Sequence, residues 1–297
     1  MNDVALSRRV LLLGLACLAL AAAAQPIVVR DDRGTEHRFA APPQRIVSML
    51  PSLTEAAWVL GAGTRLVGVD RYSDWPAQIA ALPRLGGLED AHIEAIAALK
   101  PDVVLASTSS RAMERLEVLG LRIVLLKSDS HADVQRALDR IAQLLGTPGE
   151  GARIWARIQA EIDAAAARVP PALRGQRVYF EIGGGPYAAG ASSFIGETFA
   201  RLGLANIAPP QLGPFPKLNP EFVLRAKPDV IMGLRQEMTA LAQRPGWSSL
   251  AAVREQRLCA FDAAQYDILV RPGARTGEAA ALVADCLVRL DEPAAPR

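Results

Sequence analysis

Side chains that bind metals unaided are scarce in this 297-residue chain. Its three histidines, His37, His92 and His131, are scattered, and Cys17, Cys259 and Cys286 have no metal-site spacing. A zinc or iron centre built only from side chains is therefore not expected, nor is a resident cofactor. The formal net charge is only +2 and no long basic run occurs, so nucleic acid is not expected as a partner. No Walker A sequence, G-x-S-x-G or H-E-x-x-H is present, and no carboxylate pair has a spacing that marks acid/base work. Against these absences stand 51% apolar and 22% charged residues, a globular composition, in a chain long enough for two domains.

The one apolar run of any length lies near the N-terminus. Arg8-Arg9 precede Val10 to Leu20, and Ala21 to Ala24 offer small residues for cleavage before Gln25. That order is a secretory signal, shorter than the roughly 20 residues of a spanning helix. We expect residues 1–24 to be a signal peptide cleaved near Ala24, with general or twin-arginine export both open. Cys17 sits in a poor lipoprotein box, since Gly14 stands three before it. The mature chain is expected to be periplasmic and monomeric. It would keep only Cys259 and Cys286, which export would allow to pair, two buried free thiols being the other possibility.

Two copies of one pattern organise the remainder. Glu94…Lys100-Pro101-Asp102 followed by Val103-Val104-Leu105 recurs as Glu221…Lys227-Pro228-Asp229 followed by Val230-Ile231-Met232, each residue displaced by 127 positions. Each copy predicts a helix, a proline-stopped turn and a buried strand, with the lysine suited to the negative helix end. Likewise Gln44-Arg45-Ile46-Val47 is echoed by Gln176-Arg177-Val178-Tyr179. Between the halves, Glu150 to Val169 predicts one helix of roughly 30 Å. The expected fold is α/β: two Rossmann-like lobes with mainly parallel sheets, residues 25–147 and 172–291, joined by a bridging helix within 148–171. A disordered tail is expected at 292–297.

Ligands of open α/β sheets bind beyond the carboxyl ends of the strands. That rule selects Leu50-Pro51-Ser52, Tyr72 to Pro76, Ser107-Thr108, Gly183 to Tyr187, Phe215-Pro216 and Tyr266 to Arg275, all read as loops. Tyr72, Trp75, Tyr187, Phe215 and Tyr266 would grip a large, partly apolar ligand between lobes. Trp58 has core spacing. Ser52 and Glu55 have the spacing of a capping box opening a helix. Gly183-Gly184-Gly185-Pro186-Tyr187-Ala188 satisfies G-x-G-x-x-A after a strand, which keeps open an exported α/β enzyme using the Gly183–Gly185 loop. No acid follows about 20 residues on to hold a ribose.

Together, Arg45-Ile-Val-Ser-Met-Leu-Pro-Ser-Leu-Thr-Glu55, Val67-Gly-Val-Asp-Arg-Tyr-Ser-Asp-Trp-Pro76 and the two Glu…Lys-Pro-Asp copies resemble the helical-backbone (class III) substrate-binding proteins of ABC importers. The resemblance runs from Arg45 to Leu290 and is most similar to the cobalamin-binding branch. It implies a non-enzyme that captures a metal chelate, cobalamin first, a ferric siderophore or haem as alternatives, and delivers it to a permease dimer in the inner membrane. It also implies that Glu94 and Glu221 dock onto that permease, one per lobe, and that Leu50, Pro51, Tyr72, Trp75, Tyr187, Phe215, Tyr266, Asp267, Arg271 and Arg275 meet the ligand. Phe215 and Leu88 stand where the cobalamin branch has tryptophans. Cys286 lacks the family's cysteine partner, expected near Ala200, and Gly86-Gly87-Leu88 lacks the tyrosine typical of haem binders.

Overall fold

The computed structural model describes residues 26–110 and 112–292. The expected signal with Ala24, Cys17, Arg111 and residues 293–297 lie outside them. An antiparallel hairpin, β1 (Ile27–Arg30) with β2 (Glu36–Phe39), precedes the first sheet. That sheet holds β3 (Ile46–Ser48), β4 (Leu66–Val69), β5 (Val103–Ser107) and β6 (Ile123–Leu126), all parallel in the order β4-β3-β5-β6. The helices between them are α1 (Pro51–Ala57), α2 (Ile93–Ala98) and α3 (Met113–Val118), with α4 (His131–Leu144) following β6. Then comes α5 (Glu150–Arg168), 19 residues long.

The second sheet holds β7 (Arg177–Ile182), β8 (Tyr187–Ala188), β9 (Ala205–Asn206), β10 (Val230–Leu234) and β11 (Leu258–Phe261). Its parallel strands run β9-β7-β10-β11, the same spatial order as the first sheet, with β8 added antiparallel to β7. Helices α6 (Phe194–Arg201), α7 (Pro220–Ala226), α8 (Ala263–Val270) and α9 (Thr276–Asp291) complete this half. The central strands are buried along nearly their whole length, as parallel strands covered on both faces must be. Helix α5 presents Ile154, Ile158 and Ile162, four residues apart, to a core that also takes Ile46 and Leu105 from one sheet and Phe180 and Met232 from the other. The bridge is packed into both halves.

The duplicated turn repeats in its backbone and in its partners. Lys100 and Lys227 take left-handed φ values of 46° and 48°. One Asp102 carboxylate oxygen accepts the Gln44 and Arg45 main-chain N–H groups at 2.8 and 2.9 Å, and Asp229 accepts that of Arg177 at 2.8 Å. The side chain that reaches the last helix carbonyls is the arginine opening the neighbouring strand, not the lysine: Arg45 donates to Leu99 O and Arg177 to Ala226 O. Lysine is thus the residue that turns the chain, and arginine supplies the cationic cap.

Three other expectations change. Ser52 does not cap α1: Leu50 is the N-cap with Pro51 at the first helical position, the Ser52 hydroxyl is buried without a bond among the described residues, and Glu55 is engaged elsewhere. The stretch Tyr266 to Arg275 begins as α8, capped by Asp262 with Gln265 in a capping box. Gly183–Gly185, all at positive φ, turn β7 back into antiparallel β8 and open no helix, so the motif lacks the helix N-terminus on which a phosphate rests. Cys259 and Cys286 form a disulfide joining β11 to α9.

Candidate functional site

A cavity of about 740 Å³ lies between the lobes. All four parallel strands of the first sheet feed it from their carboxyl ends, with Leu50 to Ser52 after β3, Arg71, Tyr72 and Asp74 after β4, Ser107 and Ser109 after β5, and Ser128 and Asp129 after β6. The facing wall is Phe194 at the start of α6, Phe215, and Asp267, Val270, Arg271 and Pro272 where α8 ends. A second hollow of about 450 Å³ extends the cleft past Tyr72 and Leu88.

Six of the ten residues expected to meet the ligand line this cavity: Leu50, Pro51, Tyr72, Phe215, Asp267 and Arg271. The other four stand elsewhere. Tyr266 is buried in the second lobe, stacked on Phe180, its hydroxyl accepting the Gly183 N–H at 2.9 Å. Tyr187 lies exposed on β8 against Lys217. Trp75 and Arg275 line a separate groove of about 520 Å³ beside α5 and α9, with the guanidinium 5.0 Å from the indole centroid. The sequence rule selected loops; it did not say which side of each loop faces the cleft.

Sequence reasoning missed Glu55. It projects from α1 with 1% of its surface exposed and binds two arginines of the other lobe. Arg275 donates to it through Nε at 3.0 Å and Nη2 at 3.1 Å, and Arg271 Nη1 lies 3.3 Å away. Arg271 Nη1 also reaches Asp74 at 2.5 Å, while its Nη2 donates to Asp267 at 2.7 Å and the Tyr72 carbonyl at 3.2 Å. Burial pushes the Glu55 carboxyl above its ordinary value, and Arg275 and Arg271 pull it back. The two guanidinium groups favour its ionised form against that burial. The Arg271 hydrogen bond holds Asp74 below the usual range, whereas burial raises Asp267. The signal available was an acid amid the otherwise apolar Leu53, Ala56 and Ala57 of one helix.

The Tyr72 loop is held from below. Asp70 is buried, accepts the Tyr72 N–H at 2.8 Å and binds Ser73, whose hydroxyl lies 2.8 Å from Thr54 Oγ1. Beside it, Arg71 pairs with Asp90. A second seam closes the far end of the cavity. The Phe194 N–H donates to Asp129 O at 2.7 Å, the His131 N–H to Glu197 at 2.5 Å, and His131 Nε2 lies 2.8 Å from Thr198 Oγ1. Burial, and then Arg201, push the His131 pKa down to about 4. Glu197 stands 3.9 Å from Nδ1, but its nearest oxygen is taken by the main chain.

Glu94 and Glu221 each lie exposed in the first turn of a helix that leaves the cleft rim, α2 after Asp90 and α7 after Phe215. Neither forms an ion pair among the described residues.

Two lobes in the same strand order, a packed bridging helix and a cleft at the strand ends define a substrate-binding protein. The family described as "Periplasmic binding protein" matches residues 46–264, and the chain belongs to it. It is 24% identical over 263 residues to an uncharacterized ABC transporter substrate-binding lipoprotein, YvrC, of Bacillus subtilis, covering 84% of this chain and 82% of that one. Among solved structures, it resembles the periplasmic vitamin B12 binding protein BtuF of Vibrio cholerae, with 25% identity, TM-score 0.69, and 85% and 99% of the two chains covered. It resembles equally the periplasmic heme-binding protein RhuT of Roseiflexus sp. RS-1 in apo form, with 27% identity, TM-score 0.72, and coverage of 84% and 99%. The chain is therefore a periplasmic binding protein of the ABC-importer type. No helix among the described residues is long and apolar enough to cross a membrane.

Proposed function

We propose that this protein captures a bulky, uncharged, amide-bearing metal macrocycle of the corrinoid class and hands it unchanged to an inner-membrane permease. The observation that carries this reading is the charge state of the cleft. Both arginines lining the cavity are already neutralised, Arg271 by Glu55, Asp74 and Asp267, and Arg71 by Asp90. An anionic chelate would have to compete with these carboxylates for the guanidinium groups, most of all with the buried Glu55 on Arg271, at a cost that a neutral one avoids. The remaining wall offers apolar and aromatic faces from Leu50, Pro51, Tyr72 and Phe215, with serine hydroxyls and carboxylates to meet amide groups. The vitamin B12-binding relatives support the same class.

A second reading rests on Tyr72, whose ring is 61% exposed beside the cavity with Arg71 5.8 Å from its centroid. A phenolate there is a fit axial ligand for haem iron. Calorimetric titration of the mature chain with cyanocobalamin, haemin and a ferric siderophore decides between them. One-site saturable binding of cyanocobalamin is expected. Haemin binding with a Tyr72-dependent Soret shift and no corrin uptake would replace the first reading by the second.

For the permease we propose Glu94 and Glu221 as its contacts. They are equivalent positions of a duplicated unit, exposed, one on each lobe, which suits a two-fold partner.

A further inference from the structure

We infer that Glu55 is a specificity-determining positioning residue: an internal counter-ion that never touches the ligand yet excludes anionic chelates by keeping Arg271 neutralised. The inference deepens the corrinoid reading and rests on it. Glu55 does not line the cavity, whereas Arg271 does, 8% exposed. Both Nη groups of Arg271 are spoken for, with Glu55 and Asp74 on Nη1 and Asp267 and the Tyr72 carbonyl on Nη2. Asp74 and Asp267 are cavity residues that incoming ligand can displace, their side chains 64% and 42% exposed. Glu55 cannot be displaced, because it is 1% exposed and also held by Arg275, which in turn rests on Trp75. It is the fixed part of the neutralisation. Its removal adds one positive charge directly behind the cavity wall.

The effect of one unit charge several ångströms away, in a medium of intermediate dielectric, is on the order of tenfold to thirtyfold in affinity for a charged ligand and little for a neutral one. A purely structural role for Glu55 lowers stability and weakens both ligands alike, so the ratio of affinities is the decisive readout.

The mature chain is titrated with cyanocobalamin and with dicyanocobyrinic heptaacid, the same ring bearing carboxylates in place of amides. Wild type is expected to prefer cyanocobalamin. In Glu55→Gln the ratio is expected to move at least tenfold toward the heptaacid, while Glu255→Gln, the same charge change on a distant exposed surface, leaves it within twofold. A folded Glu55→Gln with the wild-type ratio overturns the inference. Where Glu55→Gln does not fold, Asp74→Asn relieves the same guanidinium from an exposed position, and the ratio is expected to move roughly threefold to tenfold in the same direction; an unmoved ratio again overturns it. Wild type that takes neither corrin overturns the corrinoid reading alone, and the ratio is then read on a neutral ferric hydroxamate against an anionic ferric catecholate. An identical ratio in wild type and variant there, or no binding of either chelate, overturns the inference as well.

Discussion

The two seams that close the cleft use opposite chemistry. On one side a carboxylate from α1 meets two guanidinium groups from the other lobe, all nearly dry. On the other, main-chain N–H groups, one threonine, a neutral imidazole and the Glu197 carboxylate that accepts the His131 N–H make the junction. The difference assigns separate tasks. Charge fixes which arginine faces the ligand, because a buried ion has few alternative partners. The hydrogen bonds of the second seam hold position at about 1 kcal/mol each, somewhat more where the Glu197 carboxylate accepts one. The cleft thus has an ion-pair network where selection is made and mainly main-chain hydrogen bonds where only closure is needed.

Removing each seam separately tests that division. Glu55→Ala leaves two buried guanidinium groups without their shared partner, and about 3–5 kcal/mol of stability should be lost in denaturant unfolding. Thr198→Ala on the opposite seam should cost only about 1 kcal/mol. Equal losses would mean that the ionic seam is not the stronger one. The disulfide lies in one lobe and in neither seam. With its ends 27 positions apart in sequence, its reduction or Cys286→Ala should cost about 3–4 kcal/mol by loop entropy. It should do so without changing any ligand ratio, which separates lobe stability from cleft selection.

Acid should act on the His131 seam first. His131 titrates near 4 when folded against 6.5 when free, so its contribution is fully present above about pH 6.5 and is lost as pH falls through 4. That difference corresponds to about 3 kcal/mol at most. The groups facing it are Trp155 on α5, Thr198, Glu197 and Arg201 on α6, and Asp133 on its own helix. Asp74, held down by Arg271, loses its contribution only below its ordinary 3.8; Asp70, raised by burial, works in the opposite direction. His131→Gln isolates the imidazole: its stability should be flat between pH 6.5 and 4.5 where wild type declines. Parallel curves would show that the seam does not sense protons.

The duplicated fold was legible because its signals are local. Lys-Pro-Asp before a β-branched run dictates the same turn wherever it occurs, and both copies obey. Three of the four strand ends in the first lobe were readable for the same reason, while Ser128 and Asp129 after β6 were not selected. Glu55 was hidden by its own neighbourhood: Ser52 and Glu55 have capping-box spacing, yet Pro51 already starts the helix two residues early. The true partners of Glu55 lie 216 and 220 residues away. Tyr266 failed differently. Asp262 with Gln265 announced the helix of which it is part, but the apolar Ile268-Leu269-Val270 after it carries no amphipathic period to mark a buried face. Long-range pairing and side-chain direction are tertiary facts, and the residues that depend on them are the ones misplaced.

The smallest expected change in stability belongs to the two rim acids, and there the comparison between lobes is most direct. Glu94 and Glu221 occupy the first helical turn, where a carboxylate adds only a few tenths of a kcal/mol against the helix dipole. Each alanine variant should therefore unfold within about 0.5 kcal/mol of wild type and bind cyanocobalamin unchanged, since neither acid lines the cavity. If a two-fold permease reads both, each single variant should weaken docking to permease-containing proteoliposomes by a similar factor, and the double variant by more than either. A loss confined to Glu94→Ala would mean that one lobe alone is read, and the duplication would then belong to folding and not to recognition.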